Sequence, residues 1–376
     1  MAGIYIHIPF CKQRCNYCAF YSSTLYNIKE DYADAVCKEL EMRKDYANGE
    51  EIKTIYFGGG TPSTLPIELL QKICNAIYAN HTVCSNAEVT IECNPDDLTE
   101  EFLTKLRALP FNRISMGVQS FNDVQLKRLG RRHNAEKARQ AVNNARMAGY
   151  KNISIDLMFA LPGSTKEEWE QTIEEALSLK PEHISAYNLM YEDDTPLHRA
   201  LQRGDFEELS EEENVEQFQM LIKRMKEAGY RHYEISNFAI PGHESRHNSS
   251  YWNDTTYIGC GAAAHSYDSK SREWNIADIK EYIKGIENRK RNYEIEKLTE
   301  EESYNDTILT RLRTADGIPL KWMEEKFSAK LNRHMLTSAQ KHIECGNLKK
   351  TDETLSLTEK GIFISDSVIR DLIFAE

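Results

Sequence analysis

Short apolar runs that alternate with amphipathic stretches are the feature that most constrains the fold of this chain. Six such runs occur before residue 200, at residues 4–8, 54–57, 88–93, 113–118, 153–159 and 183–189. Stretches with helical periodicity lie between them, at residues 30–45, 66–79, 135–148 and 166–179. Strands that alternate with helices indicate βα units and a parallel sheet. Six units are too few to close a TIM barrel, so we predict an α/β fold with an open, partial (βα)6 barrel.

On four of these runs, polar or small residues occur at alternate positions. Successive side chains on a strand point to opposite faces, so residues two apart lie on the same face. The pairs and triplets that share a face are Tyr5 with His7, Thr90 with Glu92, Ser115 with Gly117 and Gln119, and Ser154 with Asp156. The opposite faces are mainly apolar, which suits packing against outer helices. We therefore predict that the polar faces point inward and meet near the carboxyl ends of the strands, where parallel α/β folds bind ligands.

Three thiols lie close together in the chain. Cys11, Cys15 and Cys18 follow the first apolar run directly. Thiolates are the usual ligands of a [4Fe–4S] cluster, which normally takes four of them, so three would leave one iron open to an exchangeable ligand. A structural zinc ion is the alternative; it needs four ligands, of which His7 could supply the last. The lack of a second cysteine pair favours the cluster.

The composition limits the location and the partners of the chain. Its 376 residues carry a net charge of −12, which disfavours a nucleic-acid partner because phosphate binding depends on Lys and Arg. No apolar run reaches the ~18 residues of a membrane span, and the start lacks the basic region of a signal peptide. We therefore expect a cytoplasmic protein. In that compartment the other six cysteines are expected to be small apolar core residues: Cys37, Cys74, Cys84, Cys93, Cys260 and Cys345.

A second region begins after a charged stretch at residues 284–297. Residues 305–314, 320–327 and 331–345 have helical patterns, and residues 347–357 have the pattern of a short β-hairpin. Helices followed by a hairpin suggest a winged-helix-like module, whose acidic balance favours docking or a lid role over DNA binding. We divide the chain into a (βα)6 core at residues 1–235, a linker region at residues 236–297 and a winged-helix-like α+β domain at residues 298–376.

Two further motifs lie at the ends of the second and third runs. The sequence Gly-Gly-Gly-Thr-Pro at residues 58–62 would bring backbone amides close to a ligand, or would simply form a strand-to-helix turn. Glu92 is a carboxylate on an otherwise apolar run, and a buried carboxylate needs hydrogen-bond donors. Two ribose hydroxyls would meet that need, and a salt bridge at the strand end is the alternative.

The spacing CxxxCxxC directly after the first strand of a βα barrel resembles the radical S-adenosylmethionine (SAM) superfamily. In that superfamily SAM chelates the open iron, and reduction of the cluster cleaves a C–S bond of SAM to give a 5′-deoxyadenosyl radical. Four segments resemble the branch that contains the oxygen-independent coproporphyrinogen III dehydrogenase HemN and the heme chaperone HemW. They are YIHIPFC at residues 5–11, YFGGGTP at 56–62, ISMGVQSF at 114–121 and IDLMFALPG at 155–163.

The resemblance implies a set of cofactor-binding residues. Three of them, Cys11, Cys15 and Cys18, would hold the [4Fe–4S] cluster. The SAM pocket would be lined by Tyr5 and Tyr17, by Gly59, Gly60 and Thr61 at the methionine end, by Glu92 at the ribose, and by Gln119, Arg131 and Asp156. At Arg131 the alternatives are the adjacent Arg132 as the pocket residue, or a simple helix-end charge.

Three features separate the chaperone from the dehydrogenase. The dehydrogenase pattern has a fourth cysteine two places after the triplet, where this chain has Phe20. The dehydrogenase also has an extension before the first strand, whereas four residues precede Tyr5 here. The sequence HNSSYW at residues 247–252 matches the HNxxYW signature of the chaperone branch. We therefore predict a heme chaperone that passes heme to an apo-hemoprotein, with propionate decarboxylation in porphyrin biosynthesis as the alternative activity. A zinc-stabilised regulator is a third hypothesis, which the acidic charge disfavours.

The HNxxYW segment supplies a candidate heme site. Histidine is a common axial ligand of heme iron, which makes His247 the candidate, and Tyr251 and Trp252 could stack on the porphyrin. Small residues at positions 259–264 would let a planar ligand approach or would pack tightly against a neighbouring element; His265 follows as a weaker candidate. The expected partners are heme, an apo-hemoprotein acceptor and an electron donor for the cluster, with the chain a monomer or a homodimer.

Overall fold

The computed structural model describes residues 2–375. Its largest feature is one twelve-stranded sheet, in which six parallel strands are neighbours in chain order. These strands are β1 Ala2–Ile8, β2 Ile52–Gly59, β3 Val83–Cys93, β4 Arg113–Gln119, β5 Ile153–Phe159 and β6 His183–Asn188. The predicted fold class and all six strands are confirmed. Strand β3 begins five residues earlier than the apolar pattern indicates, because its first four residues are only half-buried or exposed and so show no buried apolar pattern.

Helices follow each of the parallel strands, and most of them pack against the outer face of the sheet. They are α1 Lys29–Met42, α2 Ile67–Asn80, α3 Glu100–Leu106, α4 Asp123–Arg128, α5 Ala135–Met147, α6 Lys166–Ser178, α7 Pro196–Gln202 and α8 Glu211–Glu227. The four predicted helices correspond to α1, α2, α5 and α6. Local chemistry fixes their ends: Thr165 and Glu168 form a capping box at the start of α6, and Asn134 accepts a backbone amide at the start of α5.

Alternation along the strands separates the two faces of the sheet. On β1, Ile4, Ile6 and Ile8 are fully buried in the main hydrophobic core under the outer helices. The residues between them, Tyr5 and His7, point to the inner face. The carboxylates of Glu92 on β3 and Asp156 on β5 lie on this face too, where the charge of Asp156 contributes to raising the pKa of Glu92.

Residues 236–297 are part of the main sheet, which differs from the predicted linker. Strands β7 Arg231–Glu234 and β8 Asn237–Ala239 extend the sheet beyond β6. At the other edge, β9 Thr256–Cys260 runs parallel to β1 and is followed by the antiparallel strands β10 His265–Tyr267, β11 Ser271–Asn275 and β12 Tyr293–Lys297. Helix α9 Arg246–Trp252 connects β8 to β9, and α10 Ile279–Glu287 lies between β11 and β12. Apolar side chains of β9 and α10 are buried in the main core, so the segment cannot act as a free linker.

A buried ionic cluster joins this edge of the sheet to α1. Glu39 is fully buried and accepts hydrogen bonds from the Gly261 amide at 2.9 Å and from Asn275 Nδ2 at 2.8 Å. The Tyr282 hydroxyl donates a third at 2.6 Å. The Arg43 guanidinium lies 3.6 Å from the same carboxylate. Because a buried carboxylate is costly without partners, these contacts fix the position of the β9–β10 connection relative to α1.

Residues 298–375 form a second, smaller unit with its own core. Its elements are α11 Glu300–Arg311, β13 Ile318–Pro319, α12 Leu320–Lys326, α13 Ala329–Glu344, β14 Leu348–Lys350, β15 Thr354–Leu357, α14 Glu359–Ile362 and α15 Ser365–Leu372. The predicted hairpin is β14–β15, and β13 adds a third antiparallel strand. Backbone hydrogen bonds join this unit to the edge of the main sheet, from the Ile235 amide to the Arg313 carbonyl and from the Ala315 amide to the Tyr233 carbonyl.

Within residues 2–375, no helix combines the length and the apolar character that crossing a bilayer requires.

Replacing Glu39 by Ala should lower the free energy of unfolding by about 3–5 kcal/mol, because it leaves the buried donors of Gly261, Asn275 and Tyr282 without their acceptor and removes one of the two carboxylates near Arg43. The measurement is urea unfolding followed by circular dichroism. Glu101→Gln is the matched control: it removes an exposed partner of Lys105 and should leave the unfolding curve unchanged. Equal curves for wild type and Glu39→Ala would contradict the structural role given to this cluster.

Candidate functional site

The cysteine loop begins where β1 ends. Cys11, Cys15 and Cys18 are half-buried; burial, with a smaller contribution from the neighbouring thiols, raises the pKa of Cys11 and of Cys18. Backbone hydrogen bonds hold the loop at both ends, from the Cys11 amide to the Ser23 carbonyl and from the Asn16 amide to the Leu129 carbonyl. In the part of the chain that is described, no three His, Cys, Asp or Glu side chains are arranged around a single metal-ion position.

The glycine run lies directly against this loop. The amide of Gly60 donates to the Ile8 carbonyl at 2.8 Å, and that of Thr61 donates to the Phe10 carbonyl at 2.9 Å. A Cβ atom at Gly60 would lie 2.8 Å from the Pro9 backbone and 3.0 Å from Cys11 Sγ, so a larger residue would displace the cysteine loop. Thr61 Oγ1 lies 3.5 Å from Cys11 Sγ. The amides at positions 59–61 are thus used within the protein, which differs from the expectation that they would be offered to a ligand.

Glu92 lies on the inner face at the carboxyl end of β3. It accepts hydrogen bonds from the Tyr56 hydroxyl at 2.8 Å and from the Gly59 amide at 3.1 Å. Burial raises the pKa of Glu92 to about 7, and the hydrogen bond from Tyr56 acts in the opposite direction. The predicted alternative of a salt bridge at the strand end is not what the structure contains, because both partners of Glu92 are neutral donors.

A second inner carboxylate, Asp156, lies on β5, which β4 separates from β3. Burial raises the pKa of Asp156 to about 6, and the positive charge of Arg113 opposes that effect. Arg113 is only 1% exposed, and its Nε and Nη1 atoms have no hydrogen-bond partner. The sequence analysis did not select Arg113, although it has the same strand parity as Ser115 and Gln119.

The two neighbouring arginines occupy different environments. Arg131 Nη1 donates to Cys15 Sγ at 3.2 Å, and its Nη2 donates to Asn94 Oδ1 at 3.1 Å and to the Gly117 carbonyl at 2.5 Å. Arg132 instead pairs with Asp97 at 3.2 Å. The guanidinium that contacts the cysteine loop is therefore that of Arg131, and the alternative at Arg132 has no contact with the loop.

The remaining predicted pocket residues lie beside the cysteine loop or on the inner face of the strands. Tyr17 packs on a small apolar cluster beside the loop, and Gln119 adopts a left-handed backbone conformation (φ 69°) where β4 ends. Tyr5 shares a hydrogen bond of 3.1 Å with His7 Nδ1. His7 Nε2 is 3.1 Å from the Tyr21 carbonyl, and burial lowers the pKa of His7 to about 4. Both nitrogens of His7 are thus occupied, so it is not placed to complete a zinc site.

Helix α9, which carries the HNxxYW sequence, closes the amino-terminal end of the inner face. The Glu88 carboxylate of β3 accepts the amides of Arg246 at 3.2 Å and His247 at 3.0 Å, so it satisfies the first free donors of the helix. The Ser245 side chain caps the same end. The sequence analysis did not identify Glu88. Its position could have been predicted, because Glu88 lies two residues before Thr90 and four before Glu92, and therefore on the same inner face of β3.

His247 is fully buried beneath the pocket. Its Nδ1 is 2.9 Å from Thr54 Oγ1, and its Nε2 is 2.9 Å from the Tyr251 hydroxyl. The imidazole stacks on Tyr56 with 5.1 Å between ring centroids and on Tyr5 with 6.3 Å. Burial, assisted by the charge of Arg113, lowers the pKa of His247 to about 3. Because both ring nitrogens are occupied, His247 could bind a heme iron only if one of these two hydrogen bonds were broken.

The small-residue run after β9 packs tightly. A Cβ atom at Gly259 would lie 2.0 Å from the His265 carbonyl oxygen, and one at Gly261 would lie 2.5 Å from the Tyr32 hydroxyl. Of the two explanations for this run, close packing is therefore the one that the structure supports. His265 itself is exposed and stacks on Trp274 with 5.7 Å between centroids.

Two cysteine-related expectations have different outcomes. Phe20, at the position of the fourth cysteine in the dehydrogenase pattern, is 72% exposed.

Among the six scattered cysteines, Cys74, Cys93 and Cys260 are buried as expected. Cys345 is exposed at the end of α13, so it is not a core residue, because the helix presents that position to solvent.

Comparisons with known proteins agree with this geometry. Two family models match: the radical SAM superfamily over residues 5–176 and the HemN C-terminal domain over residues 298–364. The heme chaperone HemW of Bacillus subtilis (strain 168) is 35% identical over 371 residues, covering 98% of each chain. The heme chaperone HemW of Lactococcus lactis subsp. lactis (strain IL1403) is 33% identical, covering 98% of this chain and 96% of the relative.

One solved structure supports the fold over the whole chain. Coproporphyrinogen III oxidase (HemN) from Escherichia coli, described as a radical SAM enzyme, matches with a TM-score of 0.85 at 22% sequence identity. The match covers 99% of this chain and 90% of that one. At this level of identity, the likeness establishes the architecture alone.

Replacing Glu92 by Gln should stabilise the cofactor-free protein at pH 8 by about 1–3 kcal/mol. The folded state holds the Glu92 proton to about pH 7, so wild type loses stability as pH rises from the unfolded pKa through the folded one, and the variant does not. Below that window the two proteins should be equally stable. Urea unfolding at several pH values tests this, and a pH-independent difference would contradict it.

Replacing His247 by Ala should lower the free energy of unfolding by about 2–4 kcal/mol, because it leaves a cavity between two tyrosines and removes the partner of Thr54. Thermal and urea unfolding provide the measurement. The control is His198→Ala, which removes a half-buried histidine near the surface. If both variants were as stable as wild type, α9 would not be seated in the barrel as described.

Proposed function

The chain belongs to the family of proteins named heme chaperone HemW, and on that premise we propose that it binds heme and delivers it to an apo-hemoprotein. The observation that carries this proposal is likeness over the full length, since 35% identity extends over 98% of both this chain and the Bacillus subtilis relative. A shared fold alone would not carry it, because one fold hosts many activities. We propose the cytoplasm as the place of action.

The cysteine loop supports a [4Fe–4S] cluster as the resident cofactor. Cys11, Cys15 and Cys18 would each bind one iron, which leaves the fourth iron for SAM. The donor set fits, because three half-buried thiols lie on one short loop, and two of them contact groups that can donate to sulfur, Thr61 and Arg131. When bound, such a cluster supplies electron transfer to a sulfonium ligand. A cellular reductant is therefore an expected partner.

The inner face beside the loop supports a SAM site. Glu92 would accept hydrogen bonds from the ribose hydroxyls, since both of its present donors leave further lone pairs free. The carbonyl oxygens of Gly59 and Gly60, rather than their amides, would receive the amino group of the methionine end. Five side chains would line the rest of the pocket: Tyr5, Tyr17, Gln119, Arg131 and Asp156.

The alternative function is that of a coproporphyrinogen III dehydrogenase. The HemN match supports this alternative only at the level of fold, because the identity is 22%. Phe20 stands where the dehydrogenase pattern has its fourth cysteine, and an exposed aromatic side chain cannot supply the chemistry of a thiol. The chaperone function therefore has the stronger support.

The test of the proposed function is heme uptake and transfer. Protein purified and reconstituted without oxygen is titrated with hemin, and apomyoglobin is then added as an acceptor. We expect a Soret band that saturates and then moves to the myoglobin position. Absence of hemin binding would overturn the proposal. Conversion of coproporphyrinogen III to protoporphyrinogen IX in the presence of SAM and a reductant would favour the alternative.

Replacing Cys15 by Ser should abolish the cluster, because a hydroxyl is a poor ligand for iron in place of a thiolate. We expect about four iron atoms per chain in reconstituted wild type and fewer than about one in the variant. Iron and sulfide analysis, with the visible spectrum, provides the measurement. Cys345→Ser is the matched control, since that cysteine is exposed in the C-terminal unit, and it should keep the full iron content.

A further inference from the structure

We propose that His265, at the rim of the barrel, is the axial ligand of the heme iron, with Trp274 holding its imidazole in place. This inference rests on the proposed heme binding and deepens it. It assigns the iron to a different histidine from the one in the HNxxYW sequence. Three observations carry it: the exposure of His265, its free ring nitrogens and its position beside the cofactor pocket.

Exposure separates His265 from the other histidines. The chain has eleven histidines, and all of them lie within residues 2–375. The other ten are buried or half-buried, and His265 alone in that range is exposed. A heme taken up from solution and passed to another protein needs a ligand that can be reached without unfolding. Exposure therefore favours His265 over His7, His183 and His247, which are all buried.

The ring of His265 is free to bind a metal. In residues 2–375 no hydrogen bond or ion pair involves its side chain, whereas His247 uses both ring nitrogens. The imidazole stacks on Trp274 at an interplanar angle of 24°. This contact limits rotation of the ring without blocking its nitrogens, as a preorganised ligand requires.

Strand register places His265 on the same side of the sheet as the cofactor pocket. His265 pairs with Trp274 on β11, and β9 pairs in register with β1, so that Gly259 is opposite Tyr5. The backbone of His265 contacts Gly259 directly, and its charge would affect His7 at the end of β1. Strand β9 alone separates His265 from β1, and the cysteine loop follows the end of β1. Heme on His265 would thus border the proposed SAM site.

Buried hydrogen bonds fix the backbone on both sides of strand β10, which carries His265. Glu39, beneath it, fixes Gly261 and Asn275, which flank β10 on either side in the chain. The Asn275 amide also donates to the Gly261 carbonyl at 2.9 Å. His265 is therefore an exposed ligand on a rigid support, whereas its own side chain contributes no buried contact that folding needs.

The experiment compares hemin binding by reconstituted full-length wild type, His265→Ala and His265→Gln. We expect each variant to raise the Kd for hemin at least about tenfold and to shift the Soret band, with an unchanged melting temperature. Added imidazole should restore the wild-type Soret position in His265→Ala, because the free ligand can occupy the vacated site. A merely structural role would not give that rescue. His198→Ala is the control and should bind hemin as wild type does.

The outcomes separate the ligand assignment from the proposed function. If wild type and both His265 variants bind hemin with the same Kd and spectrum, the assignment to His265 is wrong while heme binding stands. Weaker binding without rescue by imidazole also overturns the assignment. If wild type itself takes up no hemin, heme binding fails, and this inference fails with it.

Discussion

Side-chain alternation on six parallel strands is the constraint on which the rest of this structure depends. The outer faces are apolar and fully buried under helices, as Ile4, Ile6 and Ile8 illustrate. Polar side chains on the same strands are therefore directed inward, where each needs a partner. Glu92 finds neutral donors at the carboxyl end of the barrel, and Glu88 finds the first amides of α9 at the amino end. The alternation of side chains along the strands therefore positions both the proposed cofactor pocket and helix α9 at the other end of the barrel.

The two histidines associated with heme differ in what surrounds them. His247 lies between aromatic rings with both nitrogens hydrogen-bonded, so it connects α9 to the barrel. The chain just after α9 also contacts the C-terminal unit, where Lys326 pairs with Asp254 at 2.6 Å. The Arg313 guanidinium also lies over the ring of Trp252, 5.8 Å from its centroid, so α9 and the residues just after it join the barrel to the C-terminal unit. His265 lies on strand β10 and is exposed, and within residues 2–375 its side chain makes no hydrogen bond, which suits transient binding of a ligand.

Much of the site could be predicted because strand parity and motif spacing are local properties. They located the six strands, the inward direction of Glu92 and Asp156, and the loop that carries the three thiols. They did not reveal Arg113 or Glu88, although both share the inward parity, because a charged residue at the start of a strand commonly faces solvent. They also presented residues 236–297 as a linker, because strands of three to five residues are too short for a clear period.

The sequence by itself determined the βα succession, the polar inner face and the three-thiol loop, because each depends on residues near one another in the chain. Tertiary structure alone decided which arginine contacts Cys15, since Arg131 and Arg132 differ only in the direction their side chains take. It also decided that His247 is enclosed and His265 is free. Those environments are created by Thr54, Tyr56 and Trp274, which lie on other strands, and the distance of such residues along the chain hides their contacts from any local pattern.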